Sequence, residues 1–258
     1  DEVLGQFGDL KGKIDTLIVN AQVTQRPTIN MFQPVKLGSD SVPVFTSPTG
    51  GYLYLKPGNT YDTGVEVDFR YNYSGNVQVV HVEGGGCVEY YGPNRYYVQQ
   101  WYAYENGALM VYQMEGMAMR ATPSLVFTPN SDGSVNVQFD QVDLIGRNET
   151  VAGAGTAGVV IDLIYHDSQV YSISGTTGAE TDGALTITFT TRYNSTMISY
   201  IDAGAAAAGL EKGAGKNYTL VQTLLESGNR PIYLITLTIP RTNEFTHNMA
   251  FVNLDLEY

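Results

Sequence analysis

The sequence is poor in several residue types that particular classes of protein need. Its 258 residues include a single cysteine, Cys87, so a small scaffold held by intramolecular disulfides is excluded. Lysine and arginine number 14 against 26 aspartates and glutamates, and the net charge of -12 repels a nucleic-acid backbone. The given sequence contains no run of about 18 apolar residues, which is the length that a membrane-spanning helix needs. We therefore expect no nucleic-acid partner and a core held together without disulfides.

The residues that are abundant are typical of a β-rich protein. Hydrophobic residues make up 43% of the chain and charged residues only 16%, which is enough apolar material for a folded core. The 28 glycines and 19 tyrosines are typical of turns and strands. The clearest strand is 64–73, in which every second residue from Val65 to Tyr71 is apolar.

The first twenty residues predict an amphipathic helix. Apolar residues recur there at steps of three and four, at Val3, Phe7, Leu10, Ile14 and Leu17. Gly8 and Gly12 lie in the same segment, and each weakens an isolated helix by roughly 1 kcal/mol relative to alanine. Close helix packing along Gly8-x-x-x-Gly12 would compensate, as would an apolar continuation of the helix upstream. The alternative is an ordinary helix that docks on the protein's own sheet.

A second helix is predicted over 195–212, where Ile198, Ile201 and an alanine run supply an apolar side. No internal repeat or linker divides the chain. The predicted organisation is a helix over 1–20 followed by a single β-rich domain over 21–258. The predicted fold class is mainly β, as a β-sandwich or as twisted antiparallel sheets, with an N-terminal amphipathic helix and one internal helix.

Four triplets have the Asn-x-Ser/Thr pattern of N-glycosylation sites, which are used in exterior proteins. Their asparagines are Asn72, Asn148, Asn194 and Asn217. This number is a mild excess over chance, so the pattern favours an exterior, glycosylated protein. Coincidence is the alternative.

Two glycine-rich segments predict loops. The spacing Gly153-x-Gly155-x-x-Gly158 matches a dinucleotide fingerprint by letter, but the residues after it predict a strand instead of the required helix. The segment 83–87 also predicts a loop, and it ends in Cys87, for which we expect a structural role.

Residues that could support catalysis or metal binding are scattered. The three histidines, His81, His166 and His247, form no local pair with one another or with cysteine. Candidate carboxylate pairs for glycoside hydrolysis are Asp140 with Asp143 and Asp162 with Asp167, although solvated strand faces also explain them. We expect no cofactor, no metal, no catalytic residue and no enzymatic activity.

The densest feature is an aromatic cluster near residue 100. Its candidate interface or glycan-stacking residues are Tyr96, Tyr97, Trp101, Tyr102 and Tyr104. Exposed Tyr and Trp stack on sugar rings or become buried at protein interfaces. In a strand, Tyr102 and Tyr104 share one face and Trp101 lies on the other, so at least one aromatic set is expected to cover a core. Core packing, a protein interface and glycan binding are the three interpretations.

Four stretches carry a family resemblance: 10–20, 51–55, 102–109 and 117–127, the last with Pro123. In this order they resemble the exterior part of archaeal type IV pilin-like surface proteins, most closely in the Gly-Ala that follows a Tyr-x-Tyr-Glu strand. The resemblance implies an apolar helix upstream that anchors the protein or packs in a filament core, followed by an outward-facing β domain. It implies no catalytic residues.

The predicted function is structural: an extracellular, pilin-like surface protein used in filament assembly or adhesion. Its expected partners are further copies of itself or other surface proteins, with a membrane contacted only through a segment upstream of Asp1. One alternative is a carbohydrate-binding adhesin module that uses the Tyr and Trp cluster to bind glycans. A second alternative is a secreted enzyme that acts on polysaccharide.

Overall fold

The computed structural model of the protein describes residues 2–24, 29–38, 50–93, 99–173 and 184–257. The described chain is mainly β, with an N-terminal helix and one internal helix, as the sequence predicted. In chain order the elements are α1 (Glu2–Thr24), β1 (Met31–Lys36), β2 (Gly51–Pro57), β3 (Gly64–Tyr73), β4 (Asn76–Gly84), β5 (Gly86–Gly92), β6 (Gln100–Glu105), β7 (Ala108–Gln113), β8 (Gly116–Ala121), β9 (Ser124–Pro129), β10 (Val135–Gly146), β11 (Glu149–Gly153), β12 (Thr156–Ser172), β13 (Leu185–Thr191), α2 (Asn194–Ala207), β14 (Thr219–Glu226), β15 (Ile232–Ile239) and β16 (Thr242–Glu257).

These strands form three sheets. Sheet A has the order β1-β12-β16-β10-β9, sheet B the order β11-β2-β5-β6-β7-β8, and sheet C the order β14-β15-β13-β3-β4. Within the described ranges, neighbouring strands are antiparallel except for β10 and β16, which are parallel. The centre of sheet A therefore joins segments that are about a hundred residues apart in the chain.

The helix α1 packs as its periodicity predicts. Four of its apolar residues are at most 1% exposed: Phe7, Leu10, Ile14 and Leu17. They form one core, here the first core, with residues of sheets A and B. The internal helix α2 ends earlier than predicted, because the chain turns at Gly209, whose φ of +76° favours glycine.

The strand β10 contributes to two cores on opposite faces of sheet A. Val135, Val137 and Phe139 lie in a second core, shared with sheet C and α2, whereas Val142 and Leu144 lie in the first core. Successive side chains of a strand point to opposite faces, so the odd-numbered and even-numbered sets face opposite ways. Sheet A therefore separates the two cores.

The segment 83–87, which was predicted to be a loop, instead joins two strands directly. β4 ends at Gly84 and β5 begins at Gly86, so the chain passes from sheet C to sheet B at Gly85. A Cβ atom on Gly84 would lie 1.9 Å from a carboxylate oxygen of Asp143. Gly85 and Gly86 have φ angles of +104° and +110°, which other residues rarely adopt. The close approach of Asp143 therefore requires glycine at position 84, and the backbone conformation favours glycine at positions 85 and 86.

Candidate functional site

Four aromatic side chains lie directly opposite one another across sheet B. Tyr52, Tyr91, Trp101 and Tyr112 are register partners on β2, β5, β6 and β7. Successive ring centroids are 5.9, 4.5 and 5.4 Å apart; the first two pairs are stacked and the third is edge-to-face. Such pairs contribute about 0.5–1.5 kcal/mol each beyond their burial. We call this row the aromatic ladder.

The connection between β14 and β15 reaches from sheet C onto the aromatic ladder. The guanidinium of Arg230 lies 4.6 Å from the ring centroid of Trp101 and 5.3 Å from that of Tyr112. The hydroxyl of Tyr112 donates to the carbonyl of Asn229 at 3.0 Å. Trp101, a predicted glycan-stacking residue, therefore packs against protein groups, and the ladder ties sheet C to sheet B.

Two predicted ligand-contacting tyrosines lie in the first core. Tyr102 and Tyr104 are 3% and 0% exposed, and the rings of Tyr102 and Phe7 are 6.4 Å apart. The interface or glycan-stacking prediction is wrong for these two residues, because β6 turns its even-numbered side chains towards α1. The expectation that one aromatic set covers a core is confirmed. Tyr96 and Tyr97 lie outside the described residues.

A cluster of ionisable side chains is buried between sheets B and C. We call it the buried ionic cluster, and its members are Lys56, Asp62, Glu89, Glu105, Arg192, Tyr193 and Arg230. Glu89 accepts hydrogen bonds from Arg230, from the Tyr193 hydroxyl at 2.8 Å and from Lys56 at 3.2 Å. Lys56 also donates to Asp62 at 2.8 Å. These bonds connect the strands of sheet B to the segments that flank sheet C.

The two glutamates of the buried ionic cluster have opposite pKa shifts. Burial alone would raise the pKa of Glu89, but Arg230 and Lys56 outweigh it and lower that pKa to about 2. Burial raises the pKa of Glu105 to about 8, helped by the charge of Glu89 and opposed by a hydrogen bond from Thr191. At neutral pH Glu89 is therefore ionised while Glu105 keeps its proton.

Two carboxyls with separated pKa values are a pattern found in acid-base catalysis. The cavity beside Glu89 and Glu105, however, has a volume of only about 10 Å³, which is close to the space that one water molecule needs. No substrate fits at that cavity, so its geometry suits a structural role. Cys87 lines the same cavity, and burial raises the pKa of its thiol well above the ordinary value, which keeps it protonated and unreactive.

The candidate carboxylate pairs are not brought together. Asp140 and Asp143 are three residues apart on β10 and therefore point to opposite faces of sheet A. Asp162 and Asp167 are paired on β16 with residues four positions apart, which corresponds to about 14 Å along the strand. That separation exceeds the roughly 5–9.5 Å that glycoside hydrolysis uses.

The histidines and the glycine-rich motif lie in separate places. His81 is exposed between Asp68 and Glu83, whereas His247 is fully buried and bonded to Gln141. In the described part of the chain, no group of three or more His, Cys, Asp or Glu side chains is arranged to hold a metal ion. The motif Gly153-x-Gly155-x-x-Gly158 connects β11 to β12 and leads into no helix, as its context predicted.

The four sequon asparagines differ in accessibility. Asn72 at the end of β3 and Asn148 between β10 and β11 are exposed. Asn194 and Asn217 are half-buried, and their side-chain amides hydrogen-bond to neighbouring groups at 3.1 and 2.9 Å. The exposed Asn72 also accepts a hydrogen bond, from the Gly75 amide to its Oδ1 at 3.0 Å, so it is accessibility and not the lack of a hydrogen bond that sets the exposed pair apart.

Gly8 and Gly12 lie on the side of α1 opposite the first core. Exposed residues recur along that side at steps of three and four, at Gly5, Gly8, Gly12, Thr16, Val19 and Val23. We call this set the outer stripe of α1. A Cβ atom at any of its three glycines would meet no described atom within 4 Å beyond the helix's own backbone, and the valines are 55% and 78% exposed.

Comparisons of the chain with protein-family models, with curated proteins and with solved structures find no match. Among the described residues, neither α1 nor α2 is long and apolar enough to cross a lipid bilayer.

Sequence reasoning missed the buried ionic cluster, because three of its members lie on strands of sheet B, the other four lie on connections that flank sheet C, and no local spacing links them. One signal was available. Glu89 and Glu105 stand among apolar and aromatic neighbours in strand-like segments, and a carboxylate in such a segment needs partners when it is buried.

Proposed function

We propose that this protein is a structural cell-surface protein of pilin-like organisation, used in filament assembly or adhesion. The observation that carries the proposal is the two-sided helix α1. One side fixes the helix in the first core through Phe7, Leu10 and their neighbours, and the other side presents the outer stripe.

The composition of the outer stripe favours contact with another chain. Each of its glycines weakens the helix by roughly 1 kcal/mol relative to alanine. In the described chain no group packs so closely on Gly8 or Gly12 that a larger side chain would clash with it. Exposed Val19 and Val23 add apolar surface at one end of the stripe. A helix of a second copy would use both features, because glycines allow helix backbones to approach closely and valines become buried.

Other features suit an exterior location. The net charge of -12 favours solubility of an exposed surface, and the sequons at Asn72 and Asn148 are accessible. In this proposal sheets A and C pack as a β-sandwich around the second core. An apolar segment upstream anchors the protein, as the resemblance to archaeal pilin-like proteins implies, and the β-rich part faces outwards from the cell.

The assembly state of the full native gene product tests the proposal. We expect Gly8→Leu/Gly12→Leu to abolish filaments or larger assemblies seen by electron microscopy and sedimentation, because two leucines keep the helices apart. The matched control is Gly8→Ala/Gly12→Ala, which should assemble like the parent and resist urea better, since alanine favours the helix. Unchanged assembly of the leucine variant, or a parent that never self-associates, would refute the proposal.

A further inference from the structure

A cleft of about 620 Å³ lies between α1 and sheet A, and we call it the helix–sheet cleft. One wall is the side of α1 that carries Lys11, Asp15 and Ile18. The opposite wall is formed by residues 122–126 and by Tyr200 of α2, and sheet A forms the floor. The volume falls within the range of small-molecule binding sites.

The floor carries a row of hydrogen-bonded polar side chains. The Asn248 amide donates to Oδ1 of Asp140 at 2.6 Å, and the Ser168 hydroxyl donates to Oδ1 of Asn248, also at 2.6 Å. Asp140 and Ser168 are the register partners of Asn248 on its two flanking strands, so the three residues form a line across β10, β16 and β12. Asp140 and Asn248 line the cleft directly. Their mutual bonds hold them in fixed orientations.

This row keeps unused hydrogen-bonding capacity. Two side chains donate to Asp140, those of Gln138 and Asn248, and both bind its Oδ1. In the described chain Oδ2 therefore remains available to accept.

A second polar group lies at the end of the cleft, where His166 and Gln22 are 3.1 Å apart. Nε2 of His166 accepts from the Gln22 amide nitrogen in the tautomer that carries the ring proton on Nδ1, and in that tautomer Nδ1–H is a donor. The cleft thus offers a carboxylate acceptor and an imidazole donor around apolar residues such as Ile18 and Ala250.

The charges of the cleft select against anions. Lys11 is the only lysine or arginine among the described lining residues, and its ammonium is paired with Asp15 at 2.7 Å. Asp140 adds a further negative charge. A purely apolar ligand is also disfavoured, because it would cover Asp140 and Asn248 without replacing their bonds to water.

We propose that the helix–sheet cleft binds a neutral, polyhydroxylated ligand, a saccharide of one to a few sugar units. Each sugar hydroxyl donates and accepts at once, which suits Oδ2 of Asp140 and Nδ1–H of His166, while the apolar face of the ring contacts Ile18 and Ala250. This site is distinct from the aromatic cluster. Val19 belongs both to the outer stripe and to the lining of the cleft, but the proposed hydrogen-bonding groups, Asp140 and His166, lie on sheet A, so sugar binding requires no assembly through the stripe.

Saturation-transfer difference NMR and titration calorimetry on the full chain test this site. The probes are glucose, galactose, mannose, N-acetylglucosamine, maltose and cellobiose, with choline as a cationic and glucose 6-phosphate as an anionic comparison. We expect at least one neutral sugar to bind and Asp140→Ala to weaken it about 10- to 100-fold, as loss of a bond to a charged group does. Binding of choline or the phosphate ester alone would overturn the proposal, as would no binding at all.

Two further variants separate loss of the site from loss of the fold. Val126→Trp fills the cleft from its exposed wall without removing a polar group, so it should also abolish sugar binding. Asp162→Ala removes a carboxylate from sheet A outside the cleft and should leave the affinity unchanged. Sugar binding that survives Val126→Trp, or that Asp162→Ala weakens as much as Asp140→Ala, would place the ligand elsewhere and refute the site.

Discussion

Two buried glutamates are expected to make the stability of this protein depend on pH. Glu105 holds its proton in the folded state because it is buried close to the charges of Glu89 and Asp62. Glu89 is ionised in the same cluster because Arg230 and Lys56 face it. Folding raises the pKa of Glu105 and lowers that of Glu89. Ionisation of Glu105 therefore destabilises the folded protein as the pH rises, whereas protonation of Glu89 destabilises it as the pH falls.

For Glu105 we expect stability to fall as the pH rises. Its pKa is about 8 in the folded protein and near 4.5 when unfolded, so between these values only the folded state keeps the proton. The stabilisation is complete below pH 4.5 and is lost as the pH rises to about 8, and the loss is of the order of a few kcal/mol. Urea unfolding of the parent and of Glu105→Gln from pH 5 to 8.5 measures it.

The glutamine variant is the control for other titrating groups, because it keeps the shape of the protonated side chain but cannot ionise. Its free energy of unfolding should lie close to that of the parent at pH 5 and exceed it at pH 8.5. Parallel pH profiles for the two proteins would show that Glu105 titrates normally and would contradict the prediction.

At the scale of elements, the crossing from β4 to β5 depends on close approach. The amide of Gly85 donates to Oδ1 of Asp143 at 2.7 Å, and the amide of Leu144 donates to the Gly85 carbonyl at 2.7 Å. β10 of sheet A is thereby bonded to the point where the chain leaves sheet C for sheet B. All three sheets meet at this crossing.

We expect Gly84→Ala to destabilise the protein by about 3 kcal/mol, at the upper end of overpacking costs, because its methyl group would displace the buried Asp143 carboxylate. Gly75→Ala is the matched comparison. Gly75 has a φ of +82° in the turn between β3 and β4 but open space around it, so only the backbone penalty of about 1–2 kcal/mol applies. Chemical denaturation measures the loss of stability in both variants. An equal or smaller loss for Gly84→Ala would mean that β10 moves away from the added methyl group, and it would contradict the prediction.

At the scale of the whole molecule, the long strands of sheet A connect the two cores. β10 places Phe139 in the second core and Leu144 in the first, only five residues apart. The buried ionic cluster adds a second connection, between sheets B and C. The chain is therefore predicted to unfold as one unit, in keeping with a single β-rich domain.

Trp101, the only tryptophan, provides a local probe of that prediction, because it lies in sheet B, whereas Phe139 packs against sheet C. We expect Phe139→Ala to destabilise by about 3–5 kcal/mol and Leu144→Ala by about 2–5 kcal/mol. In each variant the urea midpoints from Trp101 fluorescence and from far-ultraviolet circular dichroism should shift together. A Phe139→Ala protein whose fluorescence midpoint stays at the parent value would instead indicate two independent units.

Part of this protein follows from its sequence alone. The helix α1 was predicted from the steps between Phe7, Leu10 and Ile14, and strand β3 from the alternation of apolar residues between Val65 and Tyr71. Both patterns depend only on the period of a helix or a strand, a local property of the backbone. The net charge of -12 is likewise a property of composition, and it needs no fold to be read.

Only the tertiary structure decided which faces became buried and which distant residues met. Tyr102 and Trp101 were both candidate contact residues, and the packing of α1 on one face of β6 buried the first while Arg230 covered the ring of the second. Glu89 and Arg230 are 141 residues apart, and only the association of sheets B and C brought them into contact. Local periodicity determines the elements, whereas contacts between sheets depend on how side chains far apart in the chain fit together in three dimensions.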